Sequence, residues 1–211
     1  MKFRRKSAEE APESGAEAEA ALEDPNGSVG PYDAEDLPDD GVERVDLGSL
    51  LIQPETDREL RLQVDEASGQ VQSVLLAGPD GAIEIRAFAA PRNGDLWSDV
   101  RPQIAADMAR RGGTATEREG RFGPELVCEL VVTRPEGNTT QPSRILGING
   151  SRWLLRATLL GRPATQVDDS ADWEDLLTRV AVRRGNHALP VGEPLPLVLP
   201  DQARRVSPPS A

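Results

Sequence analysis

Apolar and polar positions alternate along several stretches of the chain. In 59–65, Leu60, Leu62 and Val64 fall on one side and Arg61 and Gln63 on the other, the period of a half-buried strand. Val71–Leu76 and Ala82–Ala89 repeat this character on either side of Gly78-Pro79-Asp80-Gly81. A Pro-Asp-Gly cluster between apolar runs is a turn, because Pro presets φ and Gly accepts φ > 0. Leu47–Ile52 is a shorter apolar piece, read as an arm or first strand. Leu126, Cys128, Leu130 and Val132 line one side of another run. Arg144–Ile148 and Ser151–Leu160 flank Asn149-Gly150, a strong hairpin signal. A two-residue loop there sets Leu146 opposite Trp153.

Two stretches change to helical period. Trp97, Val100, Ile104 and Met108 predict a helix over Trp97–Arg111, with Asp95 or Ser98 as N-cap and Gly112-Gly113 as the stop. Pro102 predicts either a start near Ser98 or a kink. Trp173, Leu176, Leu177 and Val180 form one apolar stripe and predict a helix over Asp172–Val182. Both tryptophans on these stripes are expected in the core. Prolines 190, 194, 196 and 200 forbid a helix or central strand, so this stretch reads as an extended strap across the domain. Hairpin signals without regular βαβ alternation argue an α+β domain, an antiparallel sheet with two packed helices.

Charge divides the chain. Of 36 acidic and 24 basic residues, 13 acidic and 4 basic fall in residues 1–43. That stretch has almost no large apolar residue and reads as a disordered acidic tail, followed by one α+β domain over 44–200 and a flexible C-terminal tail over 201–211. The overall charge of −12 disfavours general nucleic-acid binding, which needs clustered Lys and Arg. Lys2, Arg4, Arg5 and Lys6 leave weak nucleic-acid association as an alternative. No apolar run follows them, so the expected location is cytoplasmic, and no stretch approaches a membrane span.

The ordered segments GPYDAED, VDLGSLLI, FAAP, LWSDVRP, FGPEL, GINGSRWLLR and LPLVLP resemble an actinobacterial family of uncharacterised proteins, a domain of unknown function, over roughly residues 30 to 200. Ser151 and the stretch Leu189–Glu193 depart from that family's usual residues. The resemblance carries no functional residues. More loosely, the element order resembles the PsbP-like sandwich, whose members act as adaptors, and this implies partner binding by fold analogy alone.

Candidate chemistry is sparse. One histidine and one cysteine exclude a His-pair metal site, a Cys-based zinc cage and an intrachain disulfide. His187 is expected in a surface loop and Cys128 in a buried strand, so neither is assigned catalysis. The acidic run from Asp33 to Asp40 lacks the spacing of a calcium loop. No metal or cofactor is expected, and the chain is read as a non-enzymatic protein-binding module. The candidate interaction residues are Arg152, Trp153 and Arg156. Alternation places Arg152 and Arg156 on one strand face, able to hold a carboxylate or phosphate, and Trp153 on the other. The plainer reading pairs both arginines with carboxylates of neighbouring strands. A small-anion or metabolite pocket between sheet and helices is the second functional reading.

Overall fold

The computed structural model describes residues 30–37, 39–134 and 137–200. Residues 1–29, with the basic hexapeptide and most of the expected acidic tail, and 201–211, the expected C-terminal tail, lie outside the described residues. The fold reaches back into the expected tail, because Tyr32–Asp33 form strand β1.

The α+β class is observed. Strands β4 (Glu59–Val64), β5 (Val71–Ala77), β6 (Gly81–Ala89), β7 (Thr114–Gly120), β8 (Gly123–Arg134), β9 (Gly137–Asn149) and β10 (Trp153–Gly161) form one antiparallel sheet in the order β4-β5-β6-β10-β9-β8-β7. A second, four-stranded sheet was not expected. It joins β1 to β2 (Val45–Asp46), β3 (Leu50–Ile52) and β11 (Ala181–Val182) in the order β1-β11-β3-β2, with β1 parallel to β11. Pieces of two or three residues carry too little period for a sequence pattern to register. The polar β7, TATEREG, escaped notice for a related reason: as an edge strand it has few apolar side chains to bury.

Helix α1 (Leu96–Arg110) crosses from β6 to β7 and runs unbroken through Pro102 in its second turn, on the exposed side. Asp95 caps it by accepting from the Ser98 amide at 3.0 Å. Past the end, the Gly113 amide returns to the Met108 carbonyl, with Gly112 at φ +77°. The second helix is shorter than expected. After a single turn, α2 (Arg162–Thr165), α3 covers Ala171–Thr178, and Ala181–Val182 belong to β11 instead. Trp173, Leu176, Leu177 and Val180 are nevertheless all buried, because the stripe continues into the strand that follows.

The sheet separates two cores. On one face Ile83, Ile85, Leu146, Trp153, Leu155 and Leu159 pack against α3 and the small sheet. On the other, Trp97 of α1 meets Leu126, Cys128, Ile145 and Leu154. Gly147 allows this close approach, since a Cβ there would meet the Trp97 ring at 2.1 Å. The strap lies in the plane of the sheet. The Leu195 amide donates to the Ala87 carbonyl and the Ala89 amide donates to the Glu193 carbonyl, both at 2.8 Å, so the strap pairs with β6 where β5 has ended.

The β9–β10 turn departs from the two-residue loop. Asn149 pairs with Leu154, so residues 150–152 lie between the strands and Leu146 stands opposite Ala157 rather than Trp153. Asn149 is committed elsewhere. Its amide donates to Asp95 at 2.7 Å and its carbonyl accepts from the Trp97 amide at 3.2 Å, tying the turn to the start of α1.

Candidate functional site

The arginines sort into two kinds. Arg144 on β9 is buried and ion-paired. It bonds Ser170 Oγ at 2.8 Å and the Pro163 carbonyl at 3.3 Å, approaches Glu125 at 2.9 Å, and contacts Glu174. Arg58 lies 4.3 Å from the centroid of the Trp173 ring and reaches Asp172, and Arg162 joins Asp80 and Asp172. These groups clamp α2 and α3 to the sheet.

Arg86 and Arg156 are different. They stand directly opposite each other on β6 and β10. Helix α1 packs on β7, β8 and β9 and leaves this part of the same sheet face half-exposed. Their guanidinium carbons lie 5.5 Å and 5.1 Å from the centre of the Phe88 ring. Among the described residues, neither is hydrogen-bonded or ion-paired to a carboxylate, and Arg86 Nε is buried without a hydrogen-bond partner. Burial, then the neighbouring Arg86, pulls Arg156 below the usual arginine range; Glu84 opposes this from nearby. Two guanidinium groups held side by side over an aromatic face present planar forks whose geometry matches carboxylate or phosphate, with an apolar floor.

A second place gathers unpaired cations. A cleft of about 340 Å³ opens between β1, β11 and the turns before α1 and β10, with Arg92 and Arg152 on its wall and Asp33, Glu35 and Asp36 also lining it. Among the described residues neither Arg92 nor Arg152 has an ion pair.

The three residues singled out in the sequence therefore separate. Arg152 precedes β10 and lines the cleft, while Arg156 lies at the Phe88 pair. Trp153 is 2% exposed and turned to the opposite core, its indole donating to Asp33 at 2.7 Å. It shapes the site only by anchoring β1 beside the cleft. Arg86, the direct partner of Arg156, was missed. Alternation in Ala82–Ala89 sets it on the face away from Ile83 and Ile85, but nothing along the chain says that β6 lies beside β10.

The remaining candidates are placed plainly. Cys128 is fully buried against α1, and burial pushes its thiol up to about 11, which suppresses thiolate near neutrality. His187 is exposed, and its carbonyl accepts from Arg184 at 3.1 Å. Among the described residues no group of three His, Cys, Asp or Glu side chains is placed to hold a metal ion, and no helix is long and apolar enough to cross a membrane.

A family model matches residues 30–206, which includes every described residue and more than half of the chain. The chain belongs to the family described as "Protein of unknown function (DUF3710)". No curated protein matches it. Among solved structures it is similar to the solution structure of cyanobacterial PsbP (CyanoP) from Synechocystis sp. PCC 6803, with 10% identity, 69% of this chain and 96% of that chain covered, and a TM-score of 0.35.

Proposed function

We propose that this member of the DUF3710 family is a non-enzymatic docking module. Its open sheet face receives an acidic side chain of a protein partner between Arg86 and Arg156, with Phe88 beneath. The single observation behind this reading is the in-register, half-buried arginine pair without a carboxylate. Holding two guanidinium groups together unneutralised opposes folding, and an anionic partner relieves the repulsion. The buried thiol of Cys128 and the loop position of His187 support a role without nucleophilic or general-base chemistry.

The test uses the whole chain and an Arg86→Gln/Arg156→Gln double variant. A partner retained from cell extract is purified and its affinity for both forms measured. Binding that weakens at least tenfold in the variant and falls steeply with salt supports the reading. Equal binding by both forms overturns it.

A second reading rests on the cleft, where Arg92 and Arg152 lack carboxylates. It is a small-anion or metabolite site. A thermal-shift series with phosphate, nucleotides and dicarboxylates tests it, since a ligand at 100 times its dissociation constant adds about 2.7 kcal/mol. No shift across the series, at concentrations up to tens of millimolar, removes it.

A further inference from the structure

The chain carries a segment chemically matched to the docking face. Residues 7–29 hold seven acidic residues, from Glu9 to Asp24, and no basic one. Most arginines in the described fold already have a carboxylate: Arg44, Arg58, Arg61, Arg101, Arg118, Arg144, Arg162, Arg179 and Arg183 among them. The vacant cations gather at the Arg86–Arg156 pair and in the cleft. Only the pair combines two guanidinium groups in strand register with an aromatic floor. The cleft already holds three carboxylates on its own wall, which lowers its attraction for more.

We infer that the acidic segment Glu9–Asp24 occupies the Arg86–Arg156 face, as a tethered first ligand that the partner must displace. This rests on the docking reading above. Reach does not limit it. The segment between Glu17 and Gly30 spans up to about 43 Å when extended, at ~3.3 Å per residue. A domain of this size has a radius of gyration near 15 Å. Tethering gives an effective concentration on the order of millimolar, so a weak carboxylate–guanidinium contact suffices to populate the bound form. A partner richer in acidic groups, or one that also covers Phe88, would outcompete it, and removal of the segment's charge would raise the apparent affinity of the face.

Paramagnetic relaxation in the full chain tests this. A spin label is attached through Ala16→Cys; Cys128 is buried and its thiol held in the neutral form, so the label goes to the added thiol. The expected result is broadening of the amide signals of Ile85–Ala87 and Leu155–Ala157. It should disappear when the seven acidic residues are changed to Gln or Asn, and fade in 0.5 M salt at about a 4 Å Debye length. Broadening confined to the residues around Gly30, broadening centred on Arg92 and Arg152, or broadening unchanged by neutralisation each overturns the inference. The same neutralised variant separates this inference from the docking reading. If the purified partner still needs Arg86 and Arg156 but binds no tighter to the neutralised chain, the tethered segment is wrong and the docking face stands. If neither arginine affects the partner, the docking reading itself has failed, whatever the label reports.

Discussion

Arg144 and the Arg86–Arg156 pair are the same residue type on neighbouring strands of one sheet, with opposite fates. Arg144 sits on the α3 face, fully buried, hydrogen-bonded to Ser170, the Pro163 carbonyl and Glu174 and ion-paired through Nε with Glu125. Arg86 and Arg156 sit on the α1 face beside a phenyl ring, half-buried, with Glu84 nearby but no ion pair among the described residues. A buried charge must be paired to be tolerated, so an ion-paired arginine reports on the fold's own architecture. A half-buried pair of like charges without an ion pair opposes folding, and this is the feature on which the proposed docking role rests. Composition alone makes these two environments look alike.

The largest effect that would sharpen this contrast is Arg144→Ala. It leaves Glu174 buried without its counter-ion and Glu125 with only Arg118, and is expected to destabilise by about 3–5 kcal/mol in denaturant unfolding. A loss below ~1 kcal/mol would mean the clamp is ornamental.

Next comes Gly147→Ala, which drives a methyl into the Trp97 ring where α1 lies closest to the sheet. A cost of about 1–3 kcal/mol is expected, with loss of near-ultraviolet ellipticity from Trp97. The same packing test on the open half, Thr158→Val, should be close to silent.

Glu125 supplies a pH test. Burial raises its carboxyl above the ordinary 4.5, outweighing the opposing pull of Arg144 and Arg118. The folded state therefore binds a proton more readily than the unfolded one. Stability from this group is full below 4.5 and is lost as pH rises through the folded value. Relative to Glu125→Gln, the wild type should lose ground as pH climbs above 4.5 and then level off. A difference that grows in the wild type's favour with rising pH would show that pairing, and not burial, governs the site. Asp95 runs the other way. The Ser98 hydroxyl and amide hold it below its ordinary 3.8, so its cap is present above that pH and is lost as pH falls further. Asp95→Ala should cost about 1 kcal/mol at neutral pH.

The smallest effect on stability is predicted for Arg156→Gln. Removing one of two like charges should leave unfolding within about 0.5 kcal/mol of wild type, while partner binding collapses. Loss of folding with no separate loss of binding would return the pair to a structural role.

Much of this organisation is legible along the chain. The alternation of Leu60, Leu62 and Val64, the turn at Gly78–Gly81, and the stripe of Trp97, Val100, Ile104 and Met108 each report a local rule, since burial on one face imposes its period on the sequence. The stripe from Trp173 to Val180 found the right buried residues while overrunning the helix, because burial does not say which backbone carries it. Arg156 was legible as a candidate, and Arg152 with it. That they part company was not, because Arg152 belongs to a turn that begins after Asn149, whose backbone pairs with Leu154 while its side chain binds Asp95 and the Trp97 amide.

What the chain determined by itself is therefore periodic and local: which segments are strands and helices, which face of each is apolar, and where the acidic charge gathers. The tertiary structure decided adjacency. It set β6 beside β10, so that Arg86 meets Arg156; it built a second sheet from pieces too short to carry a pattern; and it stopped α1 at β9, leaving half a sheet face open. Side-chain period is a property of one element, whereas strand order and register arise only when distant elements compete to cover the same apolar surface.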